Sequence, residues 1–322
     1  MSSWRWLWIA SLVAASAPAW ADIAHPPIVP EGRFDIGIGN SMLDRRESVV
    51  AYAGYGQQQG KNNVYDLDRV WEGRIGADLH REQFGVAVGL FASDGTGAGD
   101  TSAPLNRDDF KYRTLNLEGA YHFAAGTLQI GGDALRTQRH LQTSSLGTTQ
   151  AGTTSFTETL YWIQYTQRLG DSHFLGLYVR PKRSFNYSYD GTLSKTVNEE
   201  EPAVYRVGWG GVQGEGGDKR VYGLDFWISN AAGRKGTGYV VSGGQSFGPF
   251  AVAARFDDET GTVSSGTFAR KDLLIEGYWR PGDWGTMGLY YDWNFDNYDL
   301  SLAQPNQTNR NTRFGFKVTG EF

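Results

Sequence analysis

Tyr65–Leu79 reads YDLDRVWEGRIGADL, and its two interleaved halves differ in kind. The odd positions are Tyr65, Leu67, Arg69, Trp71, Gly73, Ile75, Ala77 and Leu79, a largely apolar set. The even positions are Asp66, Asp68, Val70, Glu72, Arg74, Gly76 and Asp78, and five of these are charged. A period of two places alternate side chains on opposite faces of an extended strand, so one face is oily and the other wet.

The same alternation recurs downstream. Phe84, Val86, Val88 and Leu90 oppose Gly85, Ala87 and Gly89, and Leu115, Leu117, Tyr121 and Phe123 oppose Asn116, Glu118 and His122. Tyr222, Leu224, Phe226 and Ile228 oppose Asp225 and Trp227; Phe250, Val252 and Phe256 oppose Arg255. Leu273, Ile275 and Trp279 oppose Glu276, and Met287, Leu289, Tyr291 and Trp293 oppose Asp292 and Asn294. Alternation also suits a soluble sandwich, so three further features decide. The segments are long for soluble strands but suit tilted membrane-spanning ones. Short turns near 80–83, 124–126, 169–172, 214–218, 247–248 and 281–283 alternate with longer polar loops near 92–109, 140–154, 185–201, 257–269 and 296–310. Tyr121, Phe123, Trp279 and Trp284 near short turns, with Trp71 and Trp293 toward the loops, mark two interfacial girdles.

Composition agrees. Among 322 residues there are 43 Gly and no Cys, which excludes disulfides and Cys-ligated metals. A mean hydropathy of −0.45 is compatible with a wall that is lipid-facing on one side and wet on the other. Five scattered His residues form no metal pair, and a net charge of −5 speaks against nucleic acid as a partner. No cofactor is expected. At the N-terminus, Arg5 is followed by the apolar run Trp6–Ala15 and by Ala19-Trp20-Ala21, an A-x-A cleavage pattern. This predicts a cleaved secretory signal over 1–21 and a mature chain starting near Asp22.

Thr312–Phe322, TRFGFKVTGEF, places Phe314, Phe316, Val318, Gly320 and Phe322 on one face and ends on an aromatic residue. It resembles the C-terminal strand of bacterial outer-membrane β-barrels. The resemblance implies that Phe314, Phe316, Val318 and Phe322 form the signal read by the barrel-assembly machinery. The expected fold is therefore all-β, a transmembrane antiparallel up-and-down barrel in the bacterial outer membrane, with short periplasmic turns and long external loops. Six hairpins at 64–79/83–92, 110–123/127–139, 155–168/173–184, 202–213/219–229, 236–246/249–258 and 270–280/284–295 join a terminal strand 311–322. Phe34–Ile38 would close the ring, making fourteen strands; Val49–Tyr55 leaves twelve or sixteen possible. The barrel would cover 33–322, and 22–32, held extended by Pro26, Pro27 and Pro30, would be a periplasmic or plug segment.

Inward parity in the middle of the wall selects the candidate site. Glu72, Arg74, Glu118, Asp133, Arg206, Asp225, Arg255, Glu276, Asp292 and Lys317 would line a pore, with Arg180, Lys182 and Arg313 higher. Glu118, Asp133, Glu276 and Asp292 fall on one arc and Arg180, Lys182, Arg206 and Arg255 on another, a layout resembling general porins. The expected function is passive diffusion of small polar or charged solutes, not enzymatic. Inward-parity Tyr178, Trp227, Tyr278 and Tyr290 would suit instead a barrel exporting a polysaccharide or other periplasmic product. A surface or lipid-modifying enzyme is the weaker alternative. Asp66 and Asp68, with Asp171 and His173, resemble the acidic and Asp–His pairs of omptin proteases, yet topology puts the two sets at opposite ends. Gly244–Gly248 matches G-x-S-x-G without a strand–helix elbow, and a lumenal His122 lacks a lipid-facing nucleophile. Outer-membrane lipids and lipopolysaccharide are the expected partners, with the acidic stretches 108–109, 199–201 and 257–259 placed in loops facing the latter.

Overall fold

The computed structural model describes residues 47–321 apart from 63–64, 82, 100–106, 146–147, 171, 194, 215–217, 219, 232–233, 264–265, 283–284 and 301–306. The expected signal, the 22–32 segment, Phe34–Ile38 and Phe322 lie outside the described residues, as do the side chains of Glu72, Arg74 and Lys317.

The strands are β1 (Glu47–Asn62), β2 (Tyr65–Arg81), β3 (Phe84–Gly99), β4 (Arg107–Phe123), β5 (Gly126–Ser145), β6 (Thr148–Leu169), β7 (His173–Arg180) and β8 (Arg183–Gly191). They continue as β9 (Lys195–Glu201), β10 (Ala203–Gln213), β11 (Arg220–Ala231), β12 (Arg234–Phe247), β13 (Phe250–Val263), β14 (Gly266–Gly282), β15 (Gly285–Leu300) and β16 (Gln307–Glu321). All sixteen belong to one antiparallel sheet. The pairings run from β5 through β4, β3, β2 and β1 to β16, then down to β10, β7 and β6, and β5 also pairs with β6.

The six anticipated hairpins are all present, most of them longer than expected toward the loop side, but β7 ends at Arg180, short of the expected 184. The acidic stretches assigned to loops are strand instead: Asp108 and Asp109 in β4, Glu199 to Glu201 in β9, Asp257 to Glu259 in β13. The partner of the terminal strand also differs. Glu47–Asn62 takes it, pairing Val50 with Glu321 and Asn62 with Asn309, and pairs with β2 on its other side. Its stretch Val49–Tyr55 carries no polar residue, so its alternation does not separate two faces. The 185–201 region is not a loop but the hairpin β8–β9, whose Phe185, Tyr187 and Tyr189 keep strict period two. Turns follow their residues. In Phe247-Gly248-Pro249-Phe250 the first central residue has φ +56°, which glycine adopts without steric cost.

Burial alternates along the strands, as in β13, where Phe250, Val252 and Ala254 are exposed while Ala251, Ala253 and Arg255 are buried. The sign is inverted from a soluble protein. Leu289 is 70% exposed and Leu117, Ile130, Phe226, Val252 and Phe316 are about half exposed, whereas Arg313 is 2% exposed. An apolar band reaching across every long strand is the surface of a protein whose solvent is lipid. A single sheet that buries its polar face must curl on itself to do so.

Aromatic rings collect at the short-turn end of the outer face. Tyr121 packs edge-on to Phe84 at 5.3 Å and beside Phe123, which stacks on Tyr165 at 5.9 Å. Next to the 170–172 turn, His173 stacks on Trp209, and its Nε2 meets the Tyr222 hydroxyl at 2.8 Å. The outer band supplies a test by depth. Leu289→Arg, near the middle of the band, should cost about 2–4 kcal/mol, and Thr260→Arg, at the loop end of β13, about 0–1 kcal/mol. Urea unfolding in lipid vesicles measures both; equal costs would remove the lipid-facing assignment.

Candidate functional site: the inner wall

The inner wall is built by parity. Regular register carries Arg206 on β10, Asp225 on β11, Arg255 on β13, Glu276 on β14, Asp292 on β15 and Arg313 on β16 to the buried face. On the far side, Glu118 on β4 and Asp133 on β5 are half-buried, and Arg180 at the end of β7 is buried. These nine sequence-derived candidates all lie on the face turned away from the exposed apolar band.

They do not form separated acidic and basic arcs. Acid and base meet on adjacent strands: Arg206 donates to Asp225 at 2.7 Å, and Arg313 and Asp292 approach to 2.7 Å. The pairs Arg234–Glu259 at 3.4 Å and Arg270–Asp272 at 3.8 Å extend the same zone. None of these four is among the sequence-derived candidates: Glu259 falls in the expected loop 257–269, although it continues the odd register of Ala251, Ala253 and Arg255, while Arg270 and Asp272 lie on the expected strand 270–280. Lys182, expected high on the wall, pairs with Glu200 of β9 at 2.7 Å.

The β4–β6 wall is satisfied by amides instead. Asn116 donates to Asp133 at 2.7 Å, Gln129 to Glu118 at 2.6 Å, and Gln164 to Gln129 at 2.9 Å. His122 is buried and its Nδ1 lies 3.0 Å from the Thr127 hydroxyl. Tyr278 and Tyr290 are buried on the inner face, and Tyr178 stacks on Trp162 at 5.9 Å. Trp227 is half-buried. Among the described residues no cluster of His, Asp or Glu is arranged to hold a metal.

Above this polar zone the wall changes character, and the cause is Pro181. β7 pairs with β6 only as far as Val179 opposite Ile163, and proline has no N–H with which to continue a ladder. The chain leaves the wall there and makes the hairpin β8–β9. Its tip returns to β6, pairing Asp190 and Gly191 with Thr153 and Gly152, and Leu193 N–H donates to the Ala151 carbonyl at 3.0 Å. Among the described residues, β6 has no ladder partner on this side between Thr154 and Trp162. Side chains close the interval. The Arg183 guanidinium donates to the Thr159 carbonyl, and Phe156 stacks on Tyr187 with centroids 4.2 Å apart and on Phe185 at 5.7 Å.

Tyr187, Tyr189 and Val197 from the hairpin thus join Leu141 and Phe156 from the inner face of β5 and β6 in one apolar cluster. A cavity of about 960 Å³ opens near it, bordered by Phe110, Arg139 and Thr154 of the inner face, by Lys111 and Gln138 of the outer face, and by Asp190 of the hairpin. Sequence reading found none of this, since a loop assignment hides parity. The inner wall therefore offers two environments, a lower zone of paired charges and amides and an upper, aromatic one.

No protein-family model matches the chain, and no curated protein matches its sequence. Solved structures do match. The Pseudomonas putida toluene transporter TodX superposes with a TM-score of 0.62 at 10% identity, over 93% of this chain and 92% of that one. The monoaromatic hydrocarbon channel CymD gives 0.60 at 11% identity, over 86% and 89%. The translocator domain of the autotransporter NalP from Neisseria meningitidis gives 0.52 at 13%, over 95% and 97%. All are bacterial outer-membrane β-barrels, and at these identities the kinship is one of fold.

The Arg313–Asp292 pair tests what the charged zone does. The partners are 2% and 1% exposed. Arg313→Met alone should destabilise by about 3–5 kcal/mol by stranding a buried carboxylate. Adding Asp292→Leu should restore wild-type stability or exceed it by about 1–4 kcal/mol. A double-mutant cycle by denaturant unfolding reads both, and additivity would show that the two groups do not act as a pair.

Proposed function

We propose that the chain is an outer-membrane transport channel for small molecules with an aromatic or apolar part, admitted at the external mouth past the β8–β9 hairpin. The wall in this reading is a closed ring of fourteen strands, the sixteen less β8 and β9, since β5–β6 and β1–β16 pairings leave every other strand a partner on each side. The observation that carries the cargo class is the stack of Phe156, Phe185 and Tyr187 on the inner side of the mouth. Aromatic faces attract aromatic and aliphatic solutes by stacking and by removal of apolar area from water.

Two points move the cargo away from the small polar or charged solutes expected from charge alone. The inward charges on β10–β16 are buried and paired, which ties strands together and leaves little free field for sorting ions. Two solved barrels of similar fold are a toluene transporter and a monoaromatic hydrocarbon channel. Diffusion of polar solutes remains the second reading, favoured by the half-buried carboxylates Glu118 and Asp133 on the opposite wall. The reading assigns the chain no catalytic step and no cofactor. Its partners would be outer-membrane lipid, lipopolysaccharide and the barrel-assembly machinery, with 22–32 as a periplasmic or plug segment after a cleaved 1–21.

The test is uptake into proteoliposomes carrying the purified protein. Toluene-class solutes should enter faster than sugars of equal size, and the double substitution Phe156→Ala/Tyr187→Ala should slow the former about tenfold. Ion conductance in planar bilayers should not fall in the same variant. Sugar uptake equal to that of aromatics, unchanged by the substitutions, would return the assignment to a polar porin. Blockade of conductance by long oligosaccharides would favour polysaccharide export.

A further inference from the structure

The outer face of β3–β6 carries a cluster of basic side chains toward its loop end. Register places Ala92, Arg113, Arg136 and Thr157 side by side, and one step toward the loops Asp94, Lys111, Gln138 and Ser155. Arg113, Arg136, Lys111, Gln138, Ser155 and Thr157 are all exposed, on the same face as Leu115, Leu117 and Tyr161. Two arginines directly opposite on neighbouring strands repel each other, and the repulsion grows where lipid lowers the local dielectric. Across the protein, by contrast, the outward Lys271 of β14 stands opposite Asp258 of β13.

The carboxylates nearby do not resolve the repulsion. Asp94 takes Arg113 at 2.5 Å and Asp109 takes Arg107 at 3.1 Å. Among the described residues no acidic side chain pairs with Lys111 or Arg136. Two cations thus remain on a surface where neighbouring sites are already neutralised.

Their depth says what could neutralise them. Ten residues separate Tyr121, in the short-turn girdle, from Lys111. At about 3.3 Å per residue and a tilt of about 40°, Lys111 stands about 25 Å above that girdle, the height of the apolar band. The patch therefore lies where hydrocarbon gives way to headgroups, on the side of the long loops.

We propose that Lys111, Arg113 and Arg136 bind a phosphate of lipopolysaccharide in the outer leaflet. Arginine and lysine supply charge-assisted hydrogen bonds to phosphate, and a shared anion converts the Arg113–Arg136 repulsion into two attractions. Gln138, Ser155 and Thr157 flank the cations with amide and hydroxyl groups suited to the sugar that carries the phosphate. The acidic stretches expected to meet lipopolysaccharide through divalent cations are strand residues, and Glu259 among them is buried, so a direct basic contact replaces that route on this face. The site depends on the membrane placement, and Lys111, Gln138 and Ser155 also border the cavity near the β8–β9 hairpin.

The test is titration of the delipidated full-length protein with lipid A bearing both phosphates, against the same lipid dephosphorylated. Wild type should prefer the phosphorylated form. Arg136→Gln and Lys111→Gln should each weaken it about fivefold, with the dephosphorylated form unaffected. Lys271→Gln, on the other side, should bind as wild type, and heat-modifiable gel mobility checks that every variant is folded. Undiminished binding by folded Arg136→Gln/Lys111→Gln protein would overturn the site. So would equal binding of both lipid A forms, or equal binding of phosphatidylglycerol vesicles, which would assign the patch to any anionic lipid.

Discussion

Hydrocarbon offers no hydrogen bonds, so a backbone crossing it must satisfy every N–H and C=O from within the protein. That constraint explains the architecture more fully than any packing preference does. It requires long ladders on both sides of each spanning strand, and the pairings of β1 with β16 and β5 with β6 meet it at the places where an open sheet would leave edges. It also explains why the apolar residues stand outside. With lipid as the outer solvent, Leu289 and Phe316 gain by exposure, and Arg313 and Asp292 gain by turning away from lipid.

The same constraint makes the break at Pro181 informative. A missing N–H in the middle of the band would be expensive; here it falls after eight residues of β7, at the loop side, where water and side chains can take over. What takes over is specific. The hairpin tip pairs with β6 at Gly152 and Thr153, and Gly191 makes this possible at φ +127°, where a side chain would also meet the Ala151 carbonyl oxygen at 2.5 Å. Aromatic stacking then fills the unpaired interval from inside. An interruption in backbone pairing has thus become the place where the inner wall turns from polar to aromatic.

Most of the wall could be read from sequence because period two is local: each alternating segment announces its own two faces, and the short turns count the hairpins. Inward parity likewise identified Arg206, Asp225, Arg255, Glu276 and Asp292. What escaped depended on longer-range facts. Phe34–Ile38 offers a plausible closing strand, but strand choice at the seam is settled by pairing with β16, for which the wholly apolar Val49–Tyr55 gives weak side-chain contrast. Polar residues at 257–259 and 185–201 looked like loops because composition was weighed above alternation. Whether two inward charges attract or merely coexist depends on register between strands, and no single strand carries that information.

Register is also the best physical account of why so many charges are buried in the lower wall. Slipping one strand by a single residue moves its whole inner set to the lipid side, which for β13 would carry Arg255, Asp257 and Glu259 into hydrocarbon. Paired charges add a further penalty, because Arg206 and Asp225 or Arg313 and Asp292 meet only in the native offset. A buried ion pair is weak evidence for net stability, yet removing one partner is costly, so it discriminates against wrong pairings more than it deepens the right one. Hydrophobic contacts cannot supply that discrimination here, since any leucine is equally content against any lipid tail. The lower wall's charges thus act on strand register, and on the proposed reading the chemistry of passage falls to the aromatic mouth above them.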